Sequence, residues 1–179
     1  MEMINALRAE FEAIDAVIAV DCCENNVAAV IDSRIDPTKI LILKIDVFYA
    51  HLLKMKLITS MEMPKSIDCL IIQYCDNNKY HVYLVELKNV EKATLLERKD
   101  IVSKFETVLK DFMSNRFREY FYNTEYYLDL RLILIAGSIK NNKMRNFKID
   151  FLQTLPPFYF GNKRYAIEHN EPNPLINPC

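Results

Sequence analysis

Hydrophobic residues recur at helical spacing in two stretches of the chain. The first stretch predicts an amphipathic helix from about Glu2 to Val20, and the second a longer helix from about Asp100 to Tyr122. The buried stripe of the longer helix is expected to comprise Ile101, Phe105, Val108, Leu109, Phe112 and Phe117. The run YLDLRLILIA, from Tyr127 to Ala136, predicts a strand that follows this helix.

The segment from Ile67 to Lys88 predicts a β-hairpin around the polar turn Asp76-Asn77-Asn78. Asp68 opens the first strand, and Glu86 lies near the end of the second. Facing residues of an antiparallel pair point to the same side of the sheet. A two-residue loop would put the two carboxylates on opposite sides, whereas a three-residue loop or a β-bulge sets Asp68 opposite Glu86. We therefore predict the longer turn or a bulge, with the carboxylates about 4–5 Å apart, within reach of one metal ion.

The apolar run that follows Asp36 and Pro37, ILILKIDVFYAHLLKMKLI, shows neither a helical nor a strand period clearly. Because aspartate suits an N-cap and proline suits the first helical position, we predict a buried helix through about Lys56. The resulting order is helix, helix, strand, strand, helix, strand. This order indicates an α/β fold with a small mixed central β-sheet flanked by helices.

Composition indicates a single ordered domain. The 179 residues are 51% apolar and include two glycines, and this length suffices for one good core. We place the core at about residues 1–137, and a basic stretch with a proline-rich tail at 138–179. No apolar run reaches the roughly 18 residues of a membrane span. The N-terminus carries acidic residues where a signal peptide would carry basic ones.

The cysteines are interpreted as buried thiols. Five of them, at positions 22, 23, 69, 75 and 179, form no CxxC pair and leave an odd number. This pattern favours a reducing cytosol over a disulfide framework or a zinc site. We therefore expect a cytoplasmic protein.

Positive charge is concentrated near residues 140–148, although the net charge of the chain is −1. The cations of this basic stretch are Lys140, Lys143, Arg145 and Lys148, with asparagines between them. Two interpretations stay open, a solvated surface segment or a contact with nucleic-acid phosphates. Lys104, on the predicted long helix, is a further candidate for DNA binding.

The hairpin and its flanks resemble the PD-(D/E)xK nuclease superfamily, which includes many type II restriction endonucleases and Holliday-junction resolvases. The matching residues are Asp68, Glu86 and Lys88, and the resemblance covers about residues 64–136. It implies a restriction-endonuclease-like core of order α-β-β-β-α-β. Its first strand has two candidates, Val27–Ile31 and Met55–Ser60. One departure is that Ile67, rather than the family's usual proline, directly precedes the aspartate.

The resemblance implies a magnesium site built on the hairpin. Two carboxylates at the ends of apolar strands are costly to desolvate, and a divalent cation would compensate them. Mg²⁺, for which Mn²⁺ can substitute, would bind Asp68, Glu86 and the backbone carbonyl of Leu87. Lys88 would polarise the attacking water or offset charge on the phosphate. Glu10 is a further candidate carboxylate, which would support a second metal ion.

These observations lead to the hypothesis of a metal-dependent DNA endonuclease, an endodeoxyribonuclease that acts on DNA as a homodimer. Two alternatives stay open. One is a Holliday-junction resolvase or another structure-specific nuclease. The other is a catalytically inactive nuclease fold that binds DNA or a partner protein.

Overall fold

The structure is a computed structural model that describes residues 1–24, 26–61, 63–88, 97–136, 154–170 and 173–179. Its helices are α1 (Glu2–Phe11), α2 (Ile45–Lys54), α3 (Arg98–Thr107) and α4 (Arg118–Phe121), with a 3₁₀ turn at Pro37–Lys39 and a π-helical segment at Val108–Arg116. Its strands are β1 (Ile18–Ala19), β2 (Cys22–Glu24), β3 (Val27–Ile31), β4 (Ile40–Lys44), β5 (Cys69–Tyr74), β6 (Lys79–Lys88), β7 (Tyr127–Ala136), β8 (Phe158–Phe160), β9 (Lys163–Tyr165), β10 (Ile167–Asn170) and β11 (Leu175–Ile176).

A mixed sheet forms the centre of the fold. Within the described ranges it has six strands in the order β1-β4-β5-β6-β7-β10. Strand β5 runs antiparallel to β4 and β6, and β7 runs parallel to both β6 and β10. The expected α/β class with a mixed central sheet is therefore confirmed. A smaller sheet of order β11-β3-β2 and the two-stranded β8-β9 pair accompany it.

Both faces of the central sheet carry buried residues. Successive residues of a strand point to opposite sides, so each strand contributes side chains to both faces. In β6, Tyr80, Val82 and Leu84 belong to the larger apolar cluster, which includes the buried residues of α1, α2 and α3. The odd-numbered residues Tyr83 and Val85 belong to a second cluster, to which β3 also contributes. Even-numbered side chains of β6 therefore pack into the larger apolar cluster, and odd-numbered ones face the second cluster.

The hairpin has the longer turn that its sequence predicts. Its register runs from Cys69 opposite Val85 to Tyr74 opposite Tyr80, and the Cys75 N–H donates to the Lys79 carbonyl at 2.9 Å. Both asparagines of the turn adopt the left-handed conformation, which asparagine tolerates better than most residues. The predicted three-residue turn is therefore confirmed, while the predicted distance between the carboxylates of Asp68 and Glu86 stays a prediction.

Two predicted helix boundaries are wrong. The first helix ends at Phe11 rather than Val20, and the following turn includes Ala16 at φ 62°, which a helix cannot contain. The predicted helix from Pro37 to Lys56 is instead a 3₁₀ turn, strand β4 and helix α2. The strand forms because ILILK lies between β1 and β5 and pairs with both. Neither Val27–Ile31 nor Met55–Ser60 therefore lies beside β5; the former is β3 of the smaller sheet.

The long helix and the last core strand follow their predictions closely. Helix α3, the π-helical segment and α4 together occupy 98–121, and the predicted stripe is buried apart from the half-buried Phe117. Strand β7 has the predicted bounds. The tail adds β10 to the central sheet and β11 to the smaller one.

The expectation of free buried thiols is wrong, because four of the five cysteines form disulfides and the fifth is exposed. Cys22 is bonded to Cys69 and Cys75 to Cys179, with Cα atoms 6.1 Å and 5.4 Å apart, whereas Cys23 is an exposed free thiol. Each pair is brought together by strand packing across a large sequence separation, which cysteine spacing does not reveal. The disulfides remove the thiol argument for a cytoplasmic location. In the described part of the chain, no helix is both long and apolar enough to span a bilayer.

Candidate active site

Asp68, Glu86 and Lys88 meet at one end of the hairpin, on the side of the sheet that faces the helices. Glu86 and Lys88 continue the even-numbered face of β6. Asp68 lies in the bend just before β5 and reaches the same end of the hairpin, where it contacts the backbone of Leu87. Helix α3 packs over this end and presents Lys104 and Asp100 to the same place. The sheet and one helix thus assemble a charged cluster within an apolar environment.

Glu86 is the centre of this cluster. Its side chain is fully buried, and Oε1 lies 2.7 Å from Nζ of Lys104 and 2.9 Å from Nζ of Lys88. Its other oxygen, Oε2, has no hydrogen-bond partner among the described residues. A buried carboxylate oxygen without a partner is costly, which makes Oε2 a candidate ligand atom.

Asp68 is held by backbone groups on both sides. Its Oδ2 accepts a hydrogen bond of 2.6 Å from the Leu87 N–H, and its carbonyl accepts one from the Ile45 N–H at the start of α2. Burial, and then the negative charge of Glu86, raise the pKa of Asp68 to about 7. The Leu87 N–H and the charge of Lys104 oppose this rise. The carboxyl group therefore titrates near neutral pH.

Ion pairs extend the cluster toward solvent. Asp100 lies 2.8 Å from Nζ of Lys65 and 3.6 Å from Nζ of Lys88. Although burial lowers the pKa of Lys88, the adjacent Glu86 and Asp100 raise it above the ordinary value. Lys88 is therefore a cation at neutral pH, with 26% of its side chain exposed. It can donate hydrogen bonds to a group that enters from solvent.

We predict that the stability of the protein falls as pH rises from about 4 to about 7, through Asp68. Its pKa is higher in the folded protein than the ordinary 3.8, so the folded state holds more protons than the unfolded state in this window. The slope is at most about 1.4 kcal/mol per pH unit. Urea unfolding across this range should show the fall in the wild type and not in Asp68→Asn, which still accepts the Leu87 N–H. Equal pH profiles would contradict the raised pKa.

The remaining predicted site residues lie elsewhere or contact other groups. Glu10 is exposed on α1 and accepts a hydrogen bond from the Tyr120 hydroxyl at 3.3 Å, so the structure does not bring it to the cluster. Lys104 contacts buried Glu86 instead of facing solvent as a DNA contact would. Leu87 contributes its N–H, while its carbonyl as a ligand stays a prediction. The basic stretch Lys140, Lys143, Arg145 and Lys148 lies outside the described residues.

Lys104 and Asp100 are members of the cluster that sequence reasoning missed. A signal for Lys104 was present, because it lies three residues after Ile101 and four before Val108, within the apolar stripe of the helix. Asp100 precedes Lys104 by four residues on the same face. A lysine at a stripe position predicts a buried anionic partner, and that partner is Glu86.

No protein-family model matches the chain, and no curated protein or solved structure is significantly similar to it. The function of the chain is therefore inferred from the cluster and from the order of the elements that hold it.

Proposed function

We propose that this protein is a magnesium-dependent DNA endonuclease of the restriction-endonuclease-like type. The observation that carries the proposal is the three-residue turn, whose register pairs Cys69 with Val85 and so directs Asp68 toward the end of β6 that holds Glu86 and Lys88. In the nuclease superfamily that the sequence resembles, two carboxylates and a lysine in this arrangement perform phosphodiester hydrolysis. If Asp68 and Glu86 lay on opposite faces of the sheet, they could not share a metal ion, and the proposal would have no site.

The order of the core elements supports the proposal. Elements α1, β4, β5, β6, α3 and β7 follow the order α-β-β-β-α-β, with β1, β2 and β3 inserted between α1 and β4, and α2 inserted between β4 and β5. Strand β5 is antiparallel to its neighbours, and β7 is parallel to β6. The charged cluster then lies where the second and third core strands meet the core helix.

The residues present fit a magnesium ion. Oε2 of Glu86 is buried without a partner, and the pKa of Asp68 is raised by burial and by the charge of Glu86. The first feature leaves a carboxylate oxygen without a partner, and the second is a buried carboxyl group whose charged form a bound cation would stabilise. Carboxylate oxygens are the ligands that Mg²⁺ prefers. Bound by Asp68, Glu86 and the Leu87 carbonyl, Mg²⁺ would supply charge neutralisation at the phosphate and acidify a water molecule.

The chain's own residues supply positioning and positive charge. Lys104 holds Glu86 Oε1 from the helix side, which fixes the direction of Oε2. Lys88 shares that oxygen from the solvent side and stays charged at neutral pH. Its ammonium can therefore orient water or stabilise negative charge that develops on a phosphate oxygen. The Leu87 N–H fixes the orientation of Asp68.

Incubation of the purified protein with supercoiled plasmid and Mg²⁺ tests the proposal. We expect nicked and linear products with Mg²⁺ or Mn²⁺, and binding without turnover with Ca²⁺, which activates water less well. Linear duplex and four-way junction substrates, followed by mapping of the ends, separate a restriction-like enzyme from a resolvase. Sedimentation analysis tests the proposed homodimer. Absence of cleavage on all of these DNA substrates would contradict the proposal.

A second candidate function is a catalytically inactive module that binds DNA or protein. It is favoured by the two lysines that already share Glu86 Oε1 and by the pairing of Asp100 with Lys65. Ion-pair networks of this kind also occur for purely structural reasons. Calorimetric titration with Mg²⁺ separates the two functions, because an inactive site should show no binding of the ion.

The basic stretch is proposed to bind the DNA backbone. Replacing Lys140, Lys143, Arg145 and Lys148 with alanine should weaken DNA binding and flatten the salt dependence of the binding constant. The slope should fall by up to about 0.9 for each phosphate that the variant no longer neutralises. Binding isotherms at several salt concentrations measure this slope. An unchanged slope would mean that these charges do not bind DNA.

A further inference from the structure

A second group of ligand-type side chains lies on the other face of the central sheet. Sγ of Cys75, Sγ of Cys179 and a ring nitrogen of His81 all lie within 4.8 Å of one another. Within the described ranges, no other set of three histidine, cysteine or acidic side chains is as close. The group joins the end of β5, the start of β6 and the segment after β11.

The second ring nitrogen of His81 has a carboxylate partner. Nδ1 lies 3.6 Å from Sγ of Cys179, while Nε2 lies 3.6 Å from Oδ2 of Asp129, which faces His81 in the register of β6 and β7. Metal-bound histidines commonly donate their second N–H to a carboxylate, which fixes the tautomer and orients the ring. Burial lowers the pKa of His81, against the opposing charge of Asp129, and so favours the neutral ring that binds metals.

We propose that reduction of the Cys75–Cys179 disulfide creates a zinc site, with both cysteines and His81 Nδ1 as ligands. A dithiol reductant transfers two electrons and two protons to the disulfide and itself becomes a disulfide. Zn²⁺ then displaces the two thiol protons, and a water molecule completes the tetrahedron. Two sulfurs and one imidazole are a ligand set that suits Zn²⁺.

The geometry requires little rearrangement. With Zn–S near 2.3 Å and Zn–N near 2.05 Å, the sulfur–nitrogen edge of a tetrahedral site is about 3.6 Å and the sulfur–sulfur edge about 3.8 Å. The first value matches the distance from Cys179 to His81. The two sulfurs must separate, and Cys75 Sγ, which lies within 4.8 Å of the ring nitrogen, must take the same distance from it. The Tyr83 hydroxyl, 3.4 Å from Nδ1, must move aside, and Cys179 is exposed. The segment stays attached through β11 and the hydrogen bond of 3.1 Å from Gln73 Nε2 to the Asn177 carbonyl.

The other disulfide lacks these features. Cys22 and Cys69 are both fully buried in the second apolar cluster, and no described histidine or acid completes a group of three with them. This pair is therefore an internal control for metal binding by any reduced cysteine. Cys23, the exposed free thiol, is a control for non-specific thiol binding.

Cobalt(II), a spectroscopic substitute for zinc, tests the site in the full chain. After reduction by a phosphine without oxygen, we expect one equivalent of Co²⁺ to give tetrahedral and thiolate charge-transfer bands that Zn²⁺ abolishes, whereas the oxidised protein gives none. Asp129→Asn should weaken binding by roughly 10–100-fold, His81→Asn at least as much, and Cys23→Ser not at all. Binding that is equal in oxidised protein, or unaffected by His81→Asn, would overturn the proposal.

Alkylation mapping of the reduced wild-type chain keeps the test independent of variant folding and of nuclease activity. Zn²⁺ should protect Cys75 and Cys179 from iodoacetamide, as measured by mass spectrometry, and should leave Cys23 reactive. A lack of zinc-dependent protection at Cys75 and Cys179 would refute the site.

Discussion

Asp68→Asn, Glu86→Gln and Lys88→Met are each expected to lower the rate of plasmid cleavage by about 10²–10³-fold or more. The first two remove a negative charge that the proposed Mg²⁺ requires, while they keep the shape of the side chain. The third removes the more exposed of the two lysines that pair with Glu86. Initial rates of nicking with Mg²⁺ present measure the effect.

A matched control for these variants exists on the same chain. Glu97-Arg98-Lys99 repeats the acid-x-lysine pattern, but all three residues are exposed, at the start of α3. Glu97→Gln with Lys99→Met should therefore leave the cleavage rate unchanged. Circular dichroism should show all variants folded. Full nicking by all three active-site variants would exclude this cluster as the catalytic site.

Removal of both lysine partners of Glu86 is expected to lower the free energy of unfolding by about 3–5 kcal/mol. In Lys88→Met with Lys104→Met, the carboxylate stays fully buried and loses its two short ion pairs. Adding Glu86→Leu to this pair should restore most of the loss, because an apolar side chain needs no charged partner there. Urea unfolding of the three proteins measures both steps.

An exposed ion pair provides the comparison for this experiment. Lys110 lies 2.9 Å from Glu106 one turn away on the helix surface, and both side chains are largely solvated. Lys110→Met should cost only about 0.3–0.5 kcal/mol. If the double lysine variant is no less stable than this control, Glu86 does not depend on its lysines for burial.

Sequence reasoning succeeded where a pattern is local. Strand β7 has its predicted bounds because the run from Tyr127 to Ala136 is mostly apolar and includes strand-forming tyrosine and isoleucine. The three-residue turn followed from the chemistry of Asn77 and Asn78, together with the need to place Asp68 opposite Glu86. The proposed catalytic trio was therefore predictable as a set on one face of the hairpin.

The failures share a non-local cause. ILILK is strand β4 because β1 and β5 lie on either side of it, and nothing within the run itself shows those partners. The same holds for Cys75 and Cys179, which are 104 residues apart in the chain. Glu10 also depends on non-local packing. It was predicted as a metal ligand because it lies beside the buried stripe of α1, but in the fold its carboxylate contacts Tyr120.

The burial of β6 on both faces has a consequence for the gene. Loss of a single codon from the turn at Asp76–Asn78 would shift β6 by one position relative to β5. Glu86 and Lys88 would then enter the second apolar cluster, and Tyr83 and Val85 would be directed toward the helices. A substitution in the turn changes one side chain, whereas a change of turn length moves every side chain of β6 to the opposite face of the sheet. Among any descendants of this gene, the hairpin should therefore diverge in residue type while it conserves its length.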